Sequence, residues 1–65
     1  MNYSEIVNEI NSGKNVYWKN QGYKCITVNL TKLFIVWDYL GKKENAVGVS
    51  IDNFHRYNES DFFIV

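Results

Sequence analysis

The run of five apolar residues at 33–37, Leu-Phe-Ile-Val-Trp, constrains the fold of this chain more than any other feature. A β-strand directs successive side chains to opposite faces of its sheet, so an unbroken apolar run needs cover on both faces. The chain has 65 residues, and only its N-terminal segment has a helical apolar pattern. We expect that helix to cover one face of the sheet. We expect a second copy of the chain or a ligand to cover the other face.

The small size of the chain also favours association. A domain of about 60 residues buries only roughly 60% of its unfolded surface, and such domains often need a disulfide, a metal or a partner. Cys25 is the single cysteine and His55 the single histidine, so we expect neither an internal disulfide nor a closed zinc site. The prediction is one domain at 1–65, without cofactor or metal, in a homo-oligomer of at least two chains.

The net charge of the chain is zero, but its charges are unevenly distributed. Residues 1–13 sum to −2, residues 14–43 to +5 and residues 44–65 to −3. A balanced protein with a basic middle fits a local anionic ligand better than extended nucleic acid, although lysines also protect sheet edges from pairing. The N-terminus is polar and no apolar run approaches the roughly 20 residues of a membrane span, so we expect a soluble, intracellular protein.

Local patterns predict one helix, at 3–12. Asn2 is a capping residue, and Glu5 stands three positions later, as in a capping box. Apolar residues at 3, 6, 7 and 10 follow at helical spacing, and Gly13 supplies a left-handed stop.

Beyond Gly13 the apolar period changes to two, which predicts β-strands. The first hairpin is expected to turn at a three-residue loop, Asn20–Gly22, with Gly22 in the left-handed conformation. Further turns are expected at 29–32 and 41–45, and a short helical turn near 53–57. The predicted strands are 16–19, 23–29, 33–39, 46–51 and 62–65. The predicted fold is therefore α+β, with one short N-terminal helix followed by a four- to five-stranded antiparallel meander.

The sequence contains no recognisable catalytic motif. Cys25 lies in the middle of a predicted strand, which is typical of a small core residue. His55 lies in a polar segment without an evident partner, which is typical of an incidental surface histidine. The four glycines are isolated, so no phosphate-binding glycine loop is present. We therefore predict that the protein is not an enzyme.

Aromatic residues interleaved with lysines in the basic middle are the strongest functional signal, because aromatic faces stack on bases and lysines contact phosphates. The alternative is that these rings fill the core and a dimer interface, and we expect roughly half of them to do so. The predicted ligand-binding residues are Trp18, Tyr23 and Trp37 for stacking, Lys19, Lys24 and Arg56 for phosphate contacts, and Asn20 for a base or ribose edge. The predicted oligomer interface contains Phe34 and Val36.

A short helix followed by the strings Ser-Gly-Lys at 12–14, Val-Tyr-Trp-Lys-Asn at 16–20 and Gly-Tyr at 22–23 resembles small bacteriophage proteins of uncharacterised function. The ending Asp-Phe-Phe-Ile at 61–64 is similar too, so the likeness spans most of the chain. The opening is also similar to phage proteins that counter bacterial immunity by sequestering nucleotide signals. The resemblance implies an anti-defence protein in the cytoplasm of the infected bacterial host, and it assigns no site residues.

Three hypotheses follow for the function. The first is a homo-oligomer whose inter-subunit pocket holds a nucleotide-derived immune signal without cleaving it. The second is a protein inhibitor of a host defence nuclease or nucleic-acid-binding complex, of the anti-CRISPR or anti-restriction type. In that case the acidic residues Asp52, Glu59 and Asp61 imitate nucleic-acid charge. The third is a structural or regulatory phage component.

Overall fold

The computed structural model describes residues 1–39 and 42–65, and for residues 39 and 42–44 it describes the backbone. The elements are α1 (Tyr3–Asn11), β1 (Val16–Trp18), β2 (Asn20–Val28), β3 (Lys32–Tyr39), β4 (Lys42–Val49) and β5 (Phe62–Ile64), with 3₁₀ helices at Phe54–Arg56 and Glu59–Asp61. One α-helix and one antiparallel sheet in this part of the chain confirm the α+β prediction. The predicted turn at 41–45 begins outside the described residues, and β4 already includes residues 42–45. No helix within the described ranges is long and apolar enough to cross a membrane.

The five strands are arranged in the order β4-β3-β2-β1-β5. The first four strands are sequential neighbours, but β5 pairs with β1 at the edge opposite to β4. The predicted meander order is therefore wrong for the last strand. The connection at 50–61 places Phe54 in the core, so the chain returns across the sheet before β5 begins.

Interactions between near neighbours fix both ends of α1. Asn2 Oδ1 accepts from the Glu5 amide at 2.8 Å, and Glu5 Oε1 accepts from the Asn2 amide at 3.0 Å, which completes the predicted capping box. At the other end Gly13 has a φ of 95°, and the amide of Lys14 donates to the carbonyl of Glu9. This is a Schellman-type stop, and it ends the helix one residue before the predicted position.

The core lies between one face of the sheet, α1 and the segment that precedes β5. Ile6 is the one buried residue of the helix, and Phe54 contributes a second covering side chain from its 3₁₀ helix. The helix α1 and the segment around Phe54 therefore cover this face of the sheet together, whereas the sequence suggested that the helix alone would cover it. The core cluster contains Ile6, Val16, Cys25, Leu33, Ile35, Val49, Phe54 and Phe62.

The turn between β1 and β2 differs from the predicted loop. Lys19, with a φ of 65°, is the left-handed residue, and it lies between Trp18 and Asn20, which pair with each other. Asn20–Gly22 belongs to β2, and the φ of Gly22 is not positive. Glycine is required there for space, because a Cβ on Gly22 would lie 2.7 Å from Trp37 Cη2. The prediction of a left-handed Gly22 is therefore wrong.

The turn between β2 and β3 is at the predicted place, and α1 holds it. Asn29 and Leu30 both have positive φ, at 55° and 63°. Tyr3 Oη donates to the carbonyl of Thr31 at 3.1 Å, and Asn11 Nδ2 donates to the carbonyl of Leu30 at 2.8 Å. Two helix side chains thus satisfy backbone carbonyls of the hairpin tip and dock it on the helix.

Candidate functional site

The two faces of the sheet separate the residues that the sequence grouped into one site. Tyr23 pairs with Trp37 across β2 and β3, so these two side chains share the core face. Lys24 pairs with Val36, and both lie on the opposite face together with Phe34. Lys24 is therefore on the side of the predicted oligomer interface, away from the predicted stacking residues.

Four half-buried rings meet at one end of the core face: Trp18, Tyr23, Trp37 and Tyr57, which we call the aromatic cluster. The ring centroids of Trp18 and Tyr23 are 5.3 Å apart at an interplanar angle of 76°, and those of Trp18 and Tyr57 are 5.9 Å apart at 75°. Tyr23 and Trp37 have centroids 4.7 Å apart. Such pairs contribute about 0.5–1.5 kcal/mol each beyond their buried area, so the cluster also stabilises the fold.

Tyr57 is the member of the cluster that the sequence analysis did not assign to the site. It follows the 3₁₀ helix Phe54–Arg56, and the rings of Phe54 and Tyr57 stack with centroids 6.3 Å apart. The buried Phe54 thereby positions Tyr57 against Trp18. The irregular segment around Tyr57 has no apolar period, so its sequence carries no signal for this contact.

A small, partly open cavity lies beside the aromatic cluster. Its volume is about 80 Å³, and its lining comprises Trp18, Tyr23, Ile35, Asn45, Val47 and Tyr57. Trp18 Nε1 is buried and has no hydrogen-bond partner within the described part of the chain. An indole N–H only donates, and leaving a buried donor unpaired costs about 1–3 kcal/mol. The cavity therefore has aromatic walls, but the Trp18 N–H has almost no surface open to a water molecule and does not donate into it.

Two of the predicted polar residues lie beside the aromatic cluster. Lys19 Nζ is 4.8 Å from the centroid of the Trp18 ring, a cation–π distance. Asn20 Oδ1 accepts from the Gly22 amide at 2.8 Å, so its carboxamide oxygen stabilises the backbone at the start of β2. Arg56 is exposed on the 3₁₀ helix that precedes Tyr57.

The sheet face opposite α1, which we call the open face, is largely apolar. It contains Tyr17, Lys24, Ile26, Phe34, Val36, Asp38 and Phe63, placed there by strand pairing and alternation. The rings of Tyr17 and Phe63 have centroids 5.9 Å apart. Val36 is only 5% exposed in the single chain, so it offers little surface to a partner. Phe34 is half-buried and offers more.

A third surface lies where α1 meets the hairpin tip, and the sequence analysis did not identify it. Leu30 is 68% exposed and Ile51 is 69% exposed. Both line a groove of about 410 Å³, the hairpin groove, which also contains Tyr3, Ser4, Val7, Asn8, Asn11 and Thr31. No side chain that lines this groove is charged. The sequence signal was Leu30, an apolar residue in the predicted turn at 29–32, whereas Ile51 lies in a turn although the sequence placed it at the end of a strand.

Cys25 is a core residue, as predicted from its place in a strand. It is 1% exposed, and burial raises the pKa of its thiol to about 12. A thiol with that pKa is protonated at neutral pH, so Cys25 is not an activated nucleophile. His55 is exposed, and its Nδ1 lies 3.0 Å from the carbonyl oxygen of Asp52. Within the described residues, no three His, Cys, Asp or Glu side chains group as a metal site.

Comparisons with protein-family models, with curated proteins and with solved structures found no match to this chain. The resemblance to phage proteins therefore stays a prediction from the sequence pattern.

Proposed function

We propose that the protein is a non-catalytic binding protein that captures a nucleotide-derived signal, in the phage anti-defence role suggested by the sequence pattern. The observation that supports this proposal is the aromatic cluster, whose rings come from β1, β2, β3 and the segment before β5. Three of its rings, those of Trp18, Tyr23 and Tyr57, line a small cavity. Aromatic side chains at a cavity provide faces on which a nucleobase can stack.

The proposed roles follow the positions of the side chains. Trp18, Tyr23 and Tyr57 contact a base, because they line the cavity. Lys19 contacts phosphate, since its ammonium group already lies at the Trp18 ring. Lys24 takes no part in this pocket, because it belongs to the open face. The proposed pocket lies within one chain.

A ligand screen tests the capture of a nucleotide. Cyclic dinucleotides, ADP-ribose derivatives and mononucleotides would be titrated against the protein by calorimetry and thermal shift. A ligand at 100 times its Kd adds roughly 2.7 kcal/mol, enough to raise the Tm of a domain of this size by about 10 °C or more. Mass spectrometry should recover the bound ligand intact. A screen without any binding ligand, or recovery of a cleaved one, would overturn the proposal.

Two lysine variants provide a matched pair for this screen. Lys19→Gln removes the charge beside Trp18, and Lys14→Gln removes a charge that pairs with Glu9 at 2.9 Å near the end of α1. We expect Lys19→Gln alone to weaken ligand binding, with an effect that shrinks as salt screens the exposed charge. If both variants weaken ligand binding equally, Lys19 does not belong to the binding site.

We further propose that a second copy of the chain covers the open face. Ile26 and Phe34 supply apolar area, and Lys24 and Asp38 carry opposite charges on the same face. Within one chain Asp38 is already in register with Lys43, so the apolar area of Ile26 and Phe34, which a two-fold axis sets against itself, carries the proposal. The predicted interface residue Phe34 keeps its role in this proposal, and Val36 supports the interface from within the sheet.

Light scattering at tens of micromolar tests the dimer. The wild type should have the mass of two chains. Phe34→Asp would bury an unpaired charge at the interface and should give the mass of one chain. Ile64→Asp is the matched control, because Ile64 is exposed on β5 but points away from the open face. A monomeric wild type, or dissociation by both variants, would contradict an interface on the open face.

The hairpin groove favours a second candidate function, inhibition of a host defence protein. Leu30 and Ile51 expose apolar area, and an uncharged lining suits an apolar protein segment better than a phosphate group. The test compares proteins retained from infected host cells by the wild type and by the double variant Leu30→Lys, Ile51→Lys. A defence protein retained by the wild type alone, with a ligand screen that finds nothing, would favour this function over nucleotide capture.

A further inference from the structure

We propose that the outer edge of β4 binds an extended segment of a partner protein, which adds a strand to the sheet and places a carboxylate near Lys32. This inference is independent of nucleotide capture and concerns a different surface. In the described part of the chain β4 is at the end of the sheet and pairs only with β3. An edge strand presents backbone N–H and C=O groups without a strand partner, and these groups pair with another extended chain.

The first half of this edge is protected against pairing, whereas the second half is open. The sequence of β4 begins with Lys42 and Lys43, and its register with β3 shifts next to Asn45, whose φ is 54°. Lysines and bulges are features that keep edge strands from pairing. Residues 46–49, Ala-Val-Gly-Val, have no charge, and from Val47 to Val49 their register with β3 is regular. The open half therefore accepts a short stretch of extended chain.

A groove of about 530 Å³, which we call the edge groove, begins at the open half of β4. Gly48 and Val49 belong both to the open half and to the lining of this groove. Phe34 and Ile51 add apolar area, and the side chain of Ile51 is 69% exposed. A strand added at 46–49 directs every second side chain to the same face, so one of its apolar side chains reaches the groove.

Lys32 supplies the one charge in the lining of the edge groove. Its side chain is exposed and forms no ion pair within the described residues. A segment that seats an apolar side chain in the groove brings its neighbouring residues close to this ammonium group. Charge complementarity then favours aspartate, glutamate or a terminal carboxylate at one of those positions. The partner segment is therefore extended, apolar and acidic, and it lacks proline, which cannot donate to a neighbouring strand.

Selection from random octapeptides by mRNA display on the immobilised full chain supplies the probe. We expect the enriched peptides to alternate apolar positions, to lack proline in that stretch and to carry an acidic group at a fixed distance from one apolar residue. The most enriched peptide is then synthesised, and its Kd is measured by calorimetry. Its binding should protect the outward amides of 46–49 from hydrogen exchange, because the added strand takes them into hydrogen bonds.

Backbone N-methylation of this peptide decides whether it binds as a strand. Two versions are made, each methylated at a different set of alternate residues, because only one set of amides in a strand faces a given neighbour. One version should bind roughly tenfold more weakly, since it loses backbone hydrogen bonds. The other version is the matched control and should keep the Kd of the unmodified peptide. Equal binding of the two versions would contradict strand pairing.

A pair of lysine variants tests the carboxylate. Lys32→Gln removes the charge in the edge groove, and Lys14→Gln removes a charge that pairs with Glu9 near the end of α1. We expect Lys32→Gln alone to weaken peptide binding, by up to roughly fivefold at low salt and by less as salt rises. Lys32→Gln should leave nucleotide binding unchanged, which separates the edge groove from the aromatic cluster.

The outcomes separate the possible occupants of this edge. If no peptide is enriched, or if the enriched peptides have the apolar spacing of a helix, the inference is wrong and nucleotide capture still stands. A bound peptide that leaves the amides of 46–49 unprotected would also overturn it. If the outward amides of 46–49 are already protected in the free chain, a second copy of the chain covers the edge and the inference is again wrong.

Discussion

The hairpin tip between β2 and β3 holds a leucine in a backbone conformation that leucine disfavours. Leu30 has a φ of 63°, and its side chain is 68% exposed. In this left-handed region the Cβ of an L-residue approaches the following carbonyl oxygen, which costs roughly 1–2 kcal/mol. The neighbouring Asn29, at 55°, is a residue type that tolerates this conformation. The exposed Leu30 side chain gains little from burial to offset this cost. We therefore expect glycine to be more stable than alanine at this position, the reverse of the usual order.

The comparison of Leu30→Gly with Leu30→Ala isolates the backbone effect, because both variants lose the same exposed atoms beyond Cβ. Removing Cβ relieves roughly 1–2 kcal/mol of strain, and the freedom of glycine in the unfolded chain costs about 0.4–1 kcal/mol. We therefore expect Leu30→Gly to be about 0.5–1 kcal/mol more stable than Leu30→Ala. Where φ is negative the order reverses, and alanine is the more stable residue by about 0.5–1 kcal/mol.

Urea unfolding followed by circular dichroism, with thermal melts, measures the difference. For a domain of this size 1 kcal/mol corresponds to about 4–8 °C in Tm. Thr31 provides the control, because it is also exposed in the turn but its φ is not positive. Thr31→Ala should be more stable than Thr31→Gly. Equal stability of the two Leu30 variants, or a more stable Leu30→Ala, would refute the left-handed conformation and the strain assigned to it.

Three further substitutions test the fold. Burial raises the pKa of Cys25 to about 12, whereas an unfolded thiol titrates near 9. Above pH 9 the folded chain therefore keeps a proton that the unfolded chain releases. The free energy of unfolding, measured from pH 8 upward, should then fall by about 1.4 kcal/mol per pH unit above pH 9. Cys25→Ala, which has no thiol, should lack this decrease. Gly22→Ala should lower stability in urea by about 1–3 kcal/mol because its Cβ displaces the Trp37 ring. Gly48→Ala is its control and should be tolerated, since that Cβ would lie 3.5 Å from the nearest atom. Asn2→Ala should cost about 1 kcal/mol in a thermal melt by removing the cap of α1, and Asn2→Asp should not.

The parts of the fold that depend on neighbouring residues could be predicted from the sequence. The capping pair Asn2 and Glu5 and the stop at Gly13 act within a few residues, so their chemistry is visible in the chain itself. The place of β5 depends instead on the path of residues 50–61, which carry no period. The burial of Phe54 directs that path, and nothing in its local sequence distinguishes it from the exposed Ile51.

The candidate site, like the fold, could be predicted only where its contacts join residues that are close in the sequence. Trp18 and Tyr23 flank a short turn, so their contact follows from local chain geometry. Tyr57 joins them through a packing contact across more than thirty residues, which no local pattern encodes. Strand alternation, on the other hand, already indicated that Tyr23 and Lys24 point to opposite faces. Grouping these two adjacent residues in one pocket overlooked a constraint that the sequence contained.

The separation of the two faces leads to a last prediction, on whether ligand capture needs the oligomer. The sequence suggested a pocket between subunits, whereas the cavity at Trp18 and the proposed interface residue Phe34 lie on opposite sides of the sheet. The monomeric variant Phe34→Asp should therefore bind the captured nucleotide with the Kd of the wild type, while its mass in light scattering falls to one chain. Loss of nucleotide binding together with dissociation, in a variant whose circular dichroism is unchanged, would contradict a pocket within one chain. It would instead place the ligand between subunits, with Lys24 among its contacts.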